Sequence, residues 1–249
     1  MTRTPATLAV ATLAVATLAA PATAALRVHS PIVEEAEAEI ETKVDATIDH
    51  RPTRTGGYSA NVSLGYGVTE YWKLEVEGQW KRDPQGASHF DSTSIENVFQ
   101  LTPQGKYWAD VGFFVEYEAV AQRGDHSSVT FGPLIQKEFG ANLTTVNLLF
   151  THELGNRSAP GLGFELRVQS VWPITENLSA GVEAYWQAGR LGAFPGLDAQ
   201  GLRSGPVLTG DLRLLGHGKL KYEIGYLFGI TGNSPQGTVR GVLEYEFHF

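Results

Sequence analysis

Carboxylates at every second position are the feature of this sequence with the clearest chemical potential. Glu75 and Glu77 form one such pair, and Glu116 and Glu118 form another. Because alternate residues of a β-strand point to the same face, each pair would place two carboxylates side by side on one face of a strand. Carboxylates that line a narrow, water-filled pore favour cations and repel anions. The pattern therefore predicts an acidic, water-facing surface.

The residues expected to share a face with these pairs include more acids than bases. Those expected to set the selectivity of the acidic surface are Glu35, Glu75, Glu77, Asp110, Glu116, Arg167, Glu183, Asp211, Arg213, Arg240 and Glu244. Glu35, Glu75, Glu116, Glu183 and Arg167 are the foremost candidates among them. We expect these side chains to line the lumen of a passive channel for small solutes, with a preference for cations.

A second interpretation of the same charges stays open. The charged side chains would then pair across neighbouring strands and fill a narrow interior as a structural network. Trp108, Phe114 and Tyr185 lie in the same phase as the acids and would narrow the interior further. This alternative predicts a closed structural or interaction protein instead of a channel.

Catalytic and metal-binding patterns are weak. Four consecutive residues, Asp125 to Ser128, include Asp, His and Ser, but consecutive spacing does not preposition a triad. His50, His89 and His126 fall in predicted loops, so a joint metal site there is only an open alternative. The glycines in GLGFEL are not followed by a helix, so no phosphate-binding loop is indicated. We therefore predict neither an enzyme nor a cofactor or metal site.

Composition excludes several further classes. The 249 residues carry a formal net charge of -8 with no cluster of Lys or Arg, which argues against nucleic acid as a partner. Cysteine is absent, so disulfides and thiolate metal sites are excluded. Beyond the first two dozen residues, no apolar run approaches the roughly 20 residues of a membrane helix.

The first 24 residues have the anatomy of a secretory signal. One Arg near the start is followed by an Ala, Leu, Val and Thr stretch, a Pro and the small-residue triplet Ala22-Thr23-Ala24. This order predicts cleavage near Ala24 and an exported mature chain. We expect residues 25–249 to form a single domain.

Alternation with period two dominates the chain from residue 34 onward and predicts about twelve strands. In KYWADVGFFVEYEAV, for example, apolar residues share one face and acidic residues the other. The predicted strands are 35–48, 57–68, 71–81, 92–101, 106–119, 127–138, 142–153, 161–172, 177–188, 206–215, 218–229 and 237–249. Short turns are predicted to alternate with longer loops. The longest loop, 189–205, would either fold inward as a constriction or contact a partner.

One segment fits two structures. EEAEAEIETKVDATID places Ala36, Ile40, Val44 and Ile48 four positions apart as well as two apart, so a helix that serves as an arm or plug is the alternative to a strand. We favour the strand, because the segment leads directly into another alternating run.

A soluble β-sandwich would also carry alternating strands, but three features favour a closed membrane barrel. The predicted strands exceed the roughly 5–6 residues typical of soluble sheets. Aromatic residues on the apolar face concentrate near the strand ends, as at a membrane interface. The chain also ends in Phe249 with alternating apolar residues behind it. In lipid, such a sheet must close on itself to pair every backbone amide.

The ending VRGVLEYEFHF resembles the terminal assembly signal of Gram-negative outer-membrane barrels. HSPIVEEAEAEIE and the repeated strand–turn layout resemble uncharacterised outer-membrane proteins near those of the meta-pathway of phenol degradation. The resemblance implies an all-β, closed antiparallel barrel in the outer membrane, with short periplasmic turns and longer extracellular loops. It also implies contact with outer-membrane lipid and lipopolysaccharide, and with the barrel assembly machinery through the strand ending at Phe249.

Overall fold

The computed structural model describes residues 26–122, 126–155, 158, 160–213 and 218–248. Twelve antiparallel strands form one closed barrel in which each strand pairs with its neighbours in sequence. The strands are β1 (Glu37–Ile48), β2 (Tyr58–Thr69), β3 (Trp72–Arg82), β4 (Ser88–Gln100), β5 (Asp110–Val120), β6 (Ser128–Phe139), β7 (Asn142–Glu153), β8 (Gly163–Thr175), β9 (Leu178–Arg190), β10 (Gly201–Arg213), β11 (Gly218–Gly229) and β12 (Gly237–His248).

The first and last strands close the barrel. Strand β1 pairs with β12 along its whole length, from Glu37 opposite His248 to Ile48 opposite Gly237, and pairs with β2 on its other edge. The predicted closed antiparallel barrel and its twelve strands are therefore confirmed, and the segment at 37–48 is a strand and not a helix.

Three predicted strand starts were wrong by four or five residues, and one of them is that of β4, which begins at Ser88 instead of residue 92. Strand β5 begins at Asp110 instead of residue 106, so Trp108 lies in the preceding turn. Strand β10 begins at Gly201 instead of residue 206, and the connection predicted at 189–205 shrinks to 191–200. Gly201 and Gly205 suggested a loop because glycine marks turns. Gly205 instead lies in the strand, opposite Glu183 of β9.

The phase of the strands follows from the alternation of apolar and charged residues. On β1, Ile40 and Val44 are 45% and 42% exposed on the outside of the barrel. Their neighbours Glu39, Glu41 and Lys43 are buried inside. The apolar face therefore points outward and the charged face inward, as the sequence predicted.

Aromatic residues mark both rims of the outer surface. Trp72 at the start of β3 stacks on Phe99, with ring centroids 6.4 Å apart. At the other end of β3, Trp80 meets Phe90 edge to face at 5.4 Å. These pairs flank an apolar band, which matches the predicted aromatic girdles.

The connections differ in length between the two ends of the barrel. At the short-turn end, two-residue turns at 70–71, 140–141 and 176–177 are accompanied by a longer connection at 101–109. The long-loop end carries the connections 49–57, 83–87, 121–127, 154–162, 191–200 and 230–236. A 3-10 turn at Leu197–Ala199 is the one helical element of the described residues, and none of them forms a helix able to cross a membrane.

Candidate functional site: the filled lumen

Most of the predicted selectivity residues lie inside the barrel. Glu75, Glu77, Arg167, Arg240 and Glu244 are all buried there. Glu183 is buried as well, and Glu116 is half-buried on the same inward face. Phe114 and Tyr185 also point inward and are buried, so the predicted narrowing by these two residues is confirmed.

Three other residues that were predicted to face the lumen do not lie in its centre. Glu35 is exposed in the turn that precedes β1. Asp110 lies at the start of β5, where its carboxylate accepts a hydrogen bond from the Gly105 amide at 2.6 Å and so closes the 101–109 turn. Trp108 is 74% exposed in that turn and does not narrow the lumen. Glu35 and Trp108 were predicted to lie inside because the alternation of β1 and β5 was extended beyond the ends of these strands.

Two further positions lie near the short-turn end. Asp211 is half-buried on β10, opposite Lys221 of β11. Arg213, the last residue of β10, is exposed. These residues therefore belong to the rim of the lumen and not to its centre.

Carboxylates and lysines of β1 and β3 form one side of the lumen. Lys43 lies 2.6 Å from Glu77 and 3.4 Å from Glu41. Lys73 pairs in the same way with Glu39 at 2.6 Å and with Glu75 at 3.4 Å. Each lysine thus bridges two carboxylates and connects β1 with β3 across β2, which lies between them.

Glu96 on β4 extends this acidic wall without a direct ion pair among the described residues. Its side chain is buried. One oxygen from each of Glu75, Glu77 and Glu96 lies within 4.8 Å of the others, a spacing that could hold a metal ion. Among the described residues, no such group contains His50, His89 or His126. Their joint metal site therefore finds no support.

An ion pair crosses the lumen between β9 and β12. The Arg240 guanidinium lies 2.5 Å from the Glu183 carboxylate and 3.3 Å from Glu223 of β11. The guanidinium carbon also lies 5.8 Å from the centre of the Tyr185 ring. These contacts lie beside the acidic wall, because β12 is the neighbour of β1 in the barrel.

Residues 26–33, which precede β1, lie inside the barrel. The Leu26 amide donates to the Asp45 carboxylate at 2.7 Å, and the Val33 amide donates to the Gln100 side chain at 2.8 Å. Between them, the His29 amide donates to Asn147, and the Asn147 amide group donates to the His29 carbonyl. We call residues 26–33 the lumenal segment.

Apolar contacts fix both ends of the lumenal segment. Leu26 and Val28 pack with Tyr185 and Leu227. At the other end, Val33 packs with apolar residues of the wall, namely Val98, Phe114, Leu134 and Leu149. Inward-facing leucines would be poorly solvated in an open aqueous pore, and the segment removes them from water.

Arg27 is the charged anchor of the lumenal segment. Its guanidinium lies 2.6 Å from Glu41 of β1, 2.7 Å from Glu244 of β12 and 3.8 Å from Glu223 of β11. The Arg27 carbonyl also accepts a hydrogen bond from Arg167 at 3.0 Å. Charge-assisted hydrogen bonds of this kind are the strong ones in proteins.

Glycines and a sharp turn make room for the segment. A Cβ on Gly112 would lie 2.9 Å from the Pro31 Cβ, and one on Gly67 would lie 1.8 Å from the Glu34 carbonyl oxygen. Ala36 has a positive φ of 62° where the chain turns from the segment into β1, and its amide donates to the Gly67 carbonyl. The chain therefore reverses direction at the short-turn end and passes into the lumen.

A polar cavity remains beside the segment. Its volume is about 130 Å³, and it is lined by Arg27 and His29 of the segment and by Glu39, Lys43 and Glu75 of the wall, among others. The cavity is large enough for several water molecules. The lumen is therefore narrowed and polar.

The long loops are tied together by hydrogen bonds. The Arg51 guanidinium donates to the carbonyls of Gly232 and Ser234, and the Thr231 hydroxyl donates to the Gln200 carbonyl. A hydrogen bond from Arg51 also holds the pKa of the Asp49 carboxyl well below its usual range. The loops 49–57, 191–200 and 230–236 thus form one connected rim.

The longest predicted loop forms part of this rim. In the connection 191–200, the side chains of Leu191, Phe194 and Leu197 are exposed. They do not fold into the lumen as a constriction. The suggestion that this loop contacts a partner stays a prediction.

The structure describes only part of the weak catalytic pattern at 125–128. Asp125 lies outside the described residues. Ser128 is the first residue of β6, and its hydroxyl donates to Glu118 inside the barrel. The predicted signal at residues 1–24 and the terminal Phe249 also lie outside the described residues.

The lumenal segment is the main feature that the sequence analysis did not predict. Its signal was present in the apolar residues Phe114, Leu134, Leu149 and Leu227, which share the phase of the acids. A purely aqueous lumen gives no reason for large apolar side chains at inward positions. Their presence indicates that another part of the chain covers them.

The fold is that of outer-membrane β-barrels, as comparison with solved structures shows. The COG4313 outer membrane channel from Pseudomonas putida F1 has a TM-score of 0.61 at 13% identity, covering 89% of this chain and 97% of that one. The KdgM porin has a TM-score of 0.54 at 9% identity, covering 85% and 99%. The translocator domain of the autotransporter NalP from Neisseria meningitidis has a TM-score of 0.53 at 12% identity, covering 86% and 88%.

At these identities the similarity shows the fold alone. Neither a family model nor a curated protein sequence matches the chain. The resemblance to barrels of the phenol-degradation meta-pathway therefore stays a prediction.

Proposed function

We propose that this protein is a passive outer-membrane channel for small solutes with a preference for cations. The observation that carries the proposal is the acidic inward wall. Buried carboxylates of β1, β3 and β4 face the lumen, and Lys43 and Lys73 neutralise only part of their charge. In a narrow aqueous path, such a wall stabilises cations and repels anions.

The outer surface supports placement in a membrane. Apolar side chains such as Ile40, Leu64 and Ile224 are exposed around the barrel, and aromatic pairs flank them. Lipid is the solvent in which so much exposed apolar surface is stable. In this placement the short-turn end is periplasmic and the long-loop end is extracellular. Outer-membrane lipid and lipopolysaccharide are then the surrounding partners.

Export and assembly complete the proposal. A signal removed near Ala24 would deliver the chain to the periplasm. The C-terminal sequence, in which apolar residues alternate up to Phe249, would engage the barrel assembly machinery. N-terminal sequencing of the membrane-extracted protein tests the first step, and a start far from residue 25 would contradict it.

A structural barrel with a closed lumen is the second candidate. Two observations favour it, namely the ion pair between Glu183 and Arg240 across the lumen and the presence of residues 26–33 inside it. Its loops, tied together at the long-loop end, would then carry the function.

Conductance of the purified protein in planar bilayers separates the two candidates. We expect discrete current steps in KCl, and a reversal potential under a salt gradient that has the sign of a cation-preferring pore. Protein denatured before reconstitution serves as the control for leak. The absence of any current, or a reversal potential with the anion sign, would contradict the proposal.

A further inference from the structure

We propose that residues 26–33 are a displaceable plug that closes the lumen by docking against its wall, with Arg27 as the main electrostatic anchor. The inference rests on the proposed channel function, because a plug has meaning only where solutes would otherwise pass. It concerns a conformational change of the lumenal segment within an otherwise fixed barrel.

The barrel is complete without the segment. Strands β1 to β12 pair with one another around the whole cylinder, and residues 26–33 take no part in this pairing. Wall side chains bind the segment's backbone instead, among them Asp45, Gln100 and Asn147. The segment can therefore leave the lumen without breaking a strand.

The wall is nevertheless shaped to receive the segment. Gly67 and Gly112 leave space where the backbone at Glu34 and the ring of Pro31 approach. Phe114 stacks on the His29 ring, with centroids 4.4 Å apart. A close fit together with separable contacts is the combination expected of a docked plug.

Charge explains how undocking would open a path for cations. Arg27 sits among Glu41, Glu223 and Glu244 and neutralises part of their charge. When the segment leaves, these carboxylates face water in the lumen. Lys43 lies 3.4 Å from Glu41 and Lys221 lies 3.2 Å from Glu244. Both lysines belong to the wall and not to the segment, so the wall would keep these counter-ions when the segment leaves.

A reversible covalent lock tests the proposal, and the absence of cysteine makes the lock specific. A Cβ at residue 112 would lie 2.9 Å from that of residue 31, and a disulfide needs about 3.5–4.5 Å. A small shift of the segment therefore lets the double variant Pro31→Cys/Gly112→Cys form the bond. The two single variants are the matched controls.

We expect oxidation to reduce the open-channel current of the double variant about tenfold or more, and reduction to restore it. Mass spectrometry of the unreduced protein confirms that the bond has formed. Equal currents in the locked and reduced forms would overturn the plug while leaving the channel intact. No current in any form, including Arg27→Ala, would instead contradict the proposed channel function.

A second measurement does not depend on conductance. The thiol of the single variant Pro31→Cys can react with a hydrophilic maleimide only when the segment leaves its site. Adding Arg27→Ala should raise the labelling rate about tenfold or more, because charge-assisted hydrogen bonds to Glu41 and Glu244 are lost. Adding Arg82→Ala, which changes an exposed arginine, is the control. Equal rates in the two variants would overturn the role of Arg27 as the anchor.

Discussion

The guanidinium of Arg240 and the carboxylate of Glu183 meet 2.5 Å apart across the lumen, although β12 and β9 are not adjacent in the barrel. Both side chains are at most 1% exposed. The Arg240 guanidinium also donates to the Leu26 carbonyl at 3.0 Å. This one arginine therefore connects two distant parts of the wall with the lumenal segment.

Replacing Arg240 should destabilise the barrel strongly. Arg240→Met leaves Glu183 buried without its partner, and breaking a buried ion pair from one side costs about 3–5 kcal/mol. The double variant Arg240→Met/Glu183→Gln should recover part of this loss, because the buried charge of Glu183 is no longer stranded and Glu223 keeps Arg27 at 3.8 Å. Urea unfolding in detergent micelles, followed by tryptophan fluorescence, measures the difference. Arg82→Met is the exposed control, and an equal loss in that variant would contradict the account.

Free guanidinium groups should compete with Arg27. Arginine added at millimolar concentration has a group able to bind Glu41 and Glu244 in place of the tethered one. We expect arginine to raise the open probability of the unmodified channel but not that of Arg27→Ala, in which the anchor is already lost. Glutamate at the same ionic strength is the control for screening. The same response in both proteins would argue against displacement of Arg27.

The glycine at the entrance of the lumen gives an independent prediction. In Gly67→Ala the new Cβ would overlap the Glu34 carbonyl oxygen, 1.8 Å away, so the turn into the lumen must shift. We expect weaker docking of the segment and a higher open probability. In Gly196→Ala no atom lies within 4 Å of the new Cβ, which makes it a matched control. Identical single-channel records for the two variants would contradict the prediction.

Selectivity should depend on the acids of the wall that lack an ion pair. Neither Glu96 nor Glu116 has an ion pair among the described residues, so their neutralisation removes charge without breaking a bridge. Glu96→Gln/Glu116→Gln should shift the reversal potential towards zero. The variant Glu138→Gln/Glu176→Gln, which changes two exposed residues, should leave it unchanged. A shift of equal size in both variants would show that selectivity is not set inside the lumen.

The strand pattern of the barrel could be predicted because alternation is a local property. Lumenal and lipid-facing positions alternate within each strand. The acidic Glu75 next to the apolar Val76 is therefore enough to indicate which face of β3 points inward and which points outward. Strand ends could not be predicted in the same way. Trp108 continues the alternation of β5 in sequence, but hydrogen bonding to the neighbouring strand begins only at Asp110.

The lumenal segment could not be derived from the same pattern. Residues 26–33 lie between the predicted signal and the first alternating run and have no period of their own. Their position depends on long-range contacts, such as those of His29 with Asn147 and of Leu26 with Arg240. Local propensity contains no information about such contacts. The inward-facing positions of Leu134 and Leu149 do contain some, because large apolar side chains there indicate that another part of the chain covers them.

The most direct test of the account is the reversal potential of Arg27→Ala in a planar bilayer under a KCl gradient. We expect frequent openings and a reversal potential with the sign of a cation-preferring pore, because the segment is loosened and the acidic wall is uncovered. A reversal potential with the sign of an anion-preferring pore would contradict the proposed cation channel. The absence of any current although the folded barrel has inserted would contradict it as well.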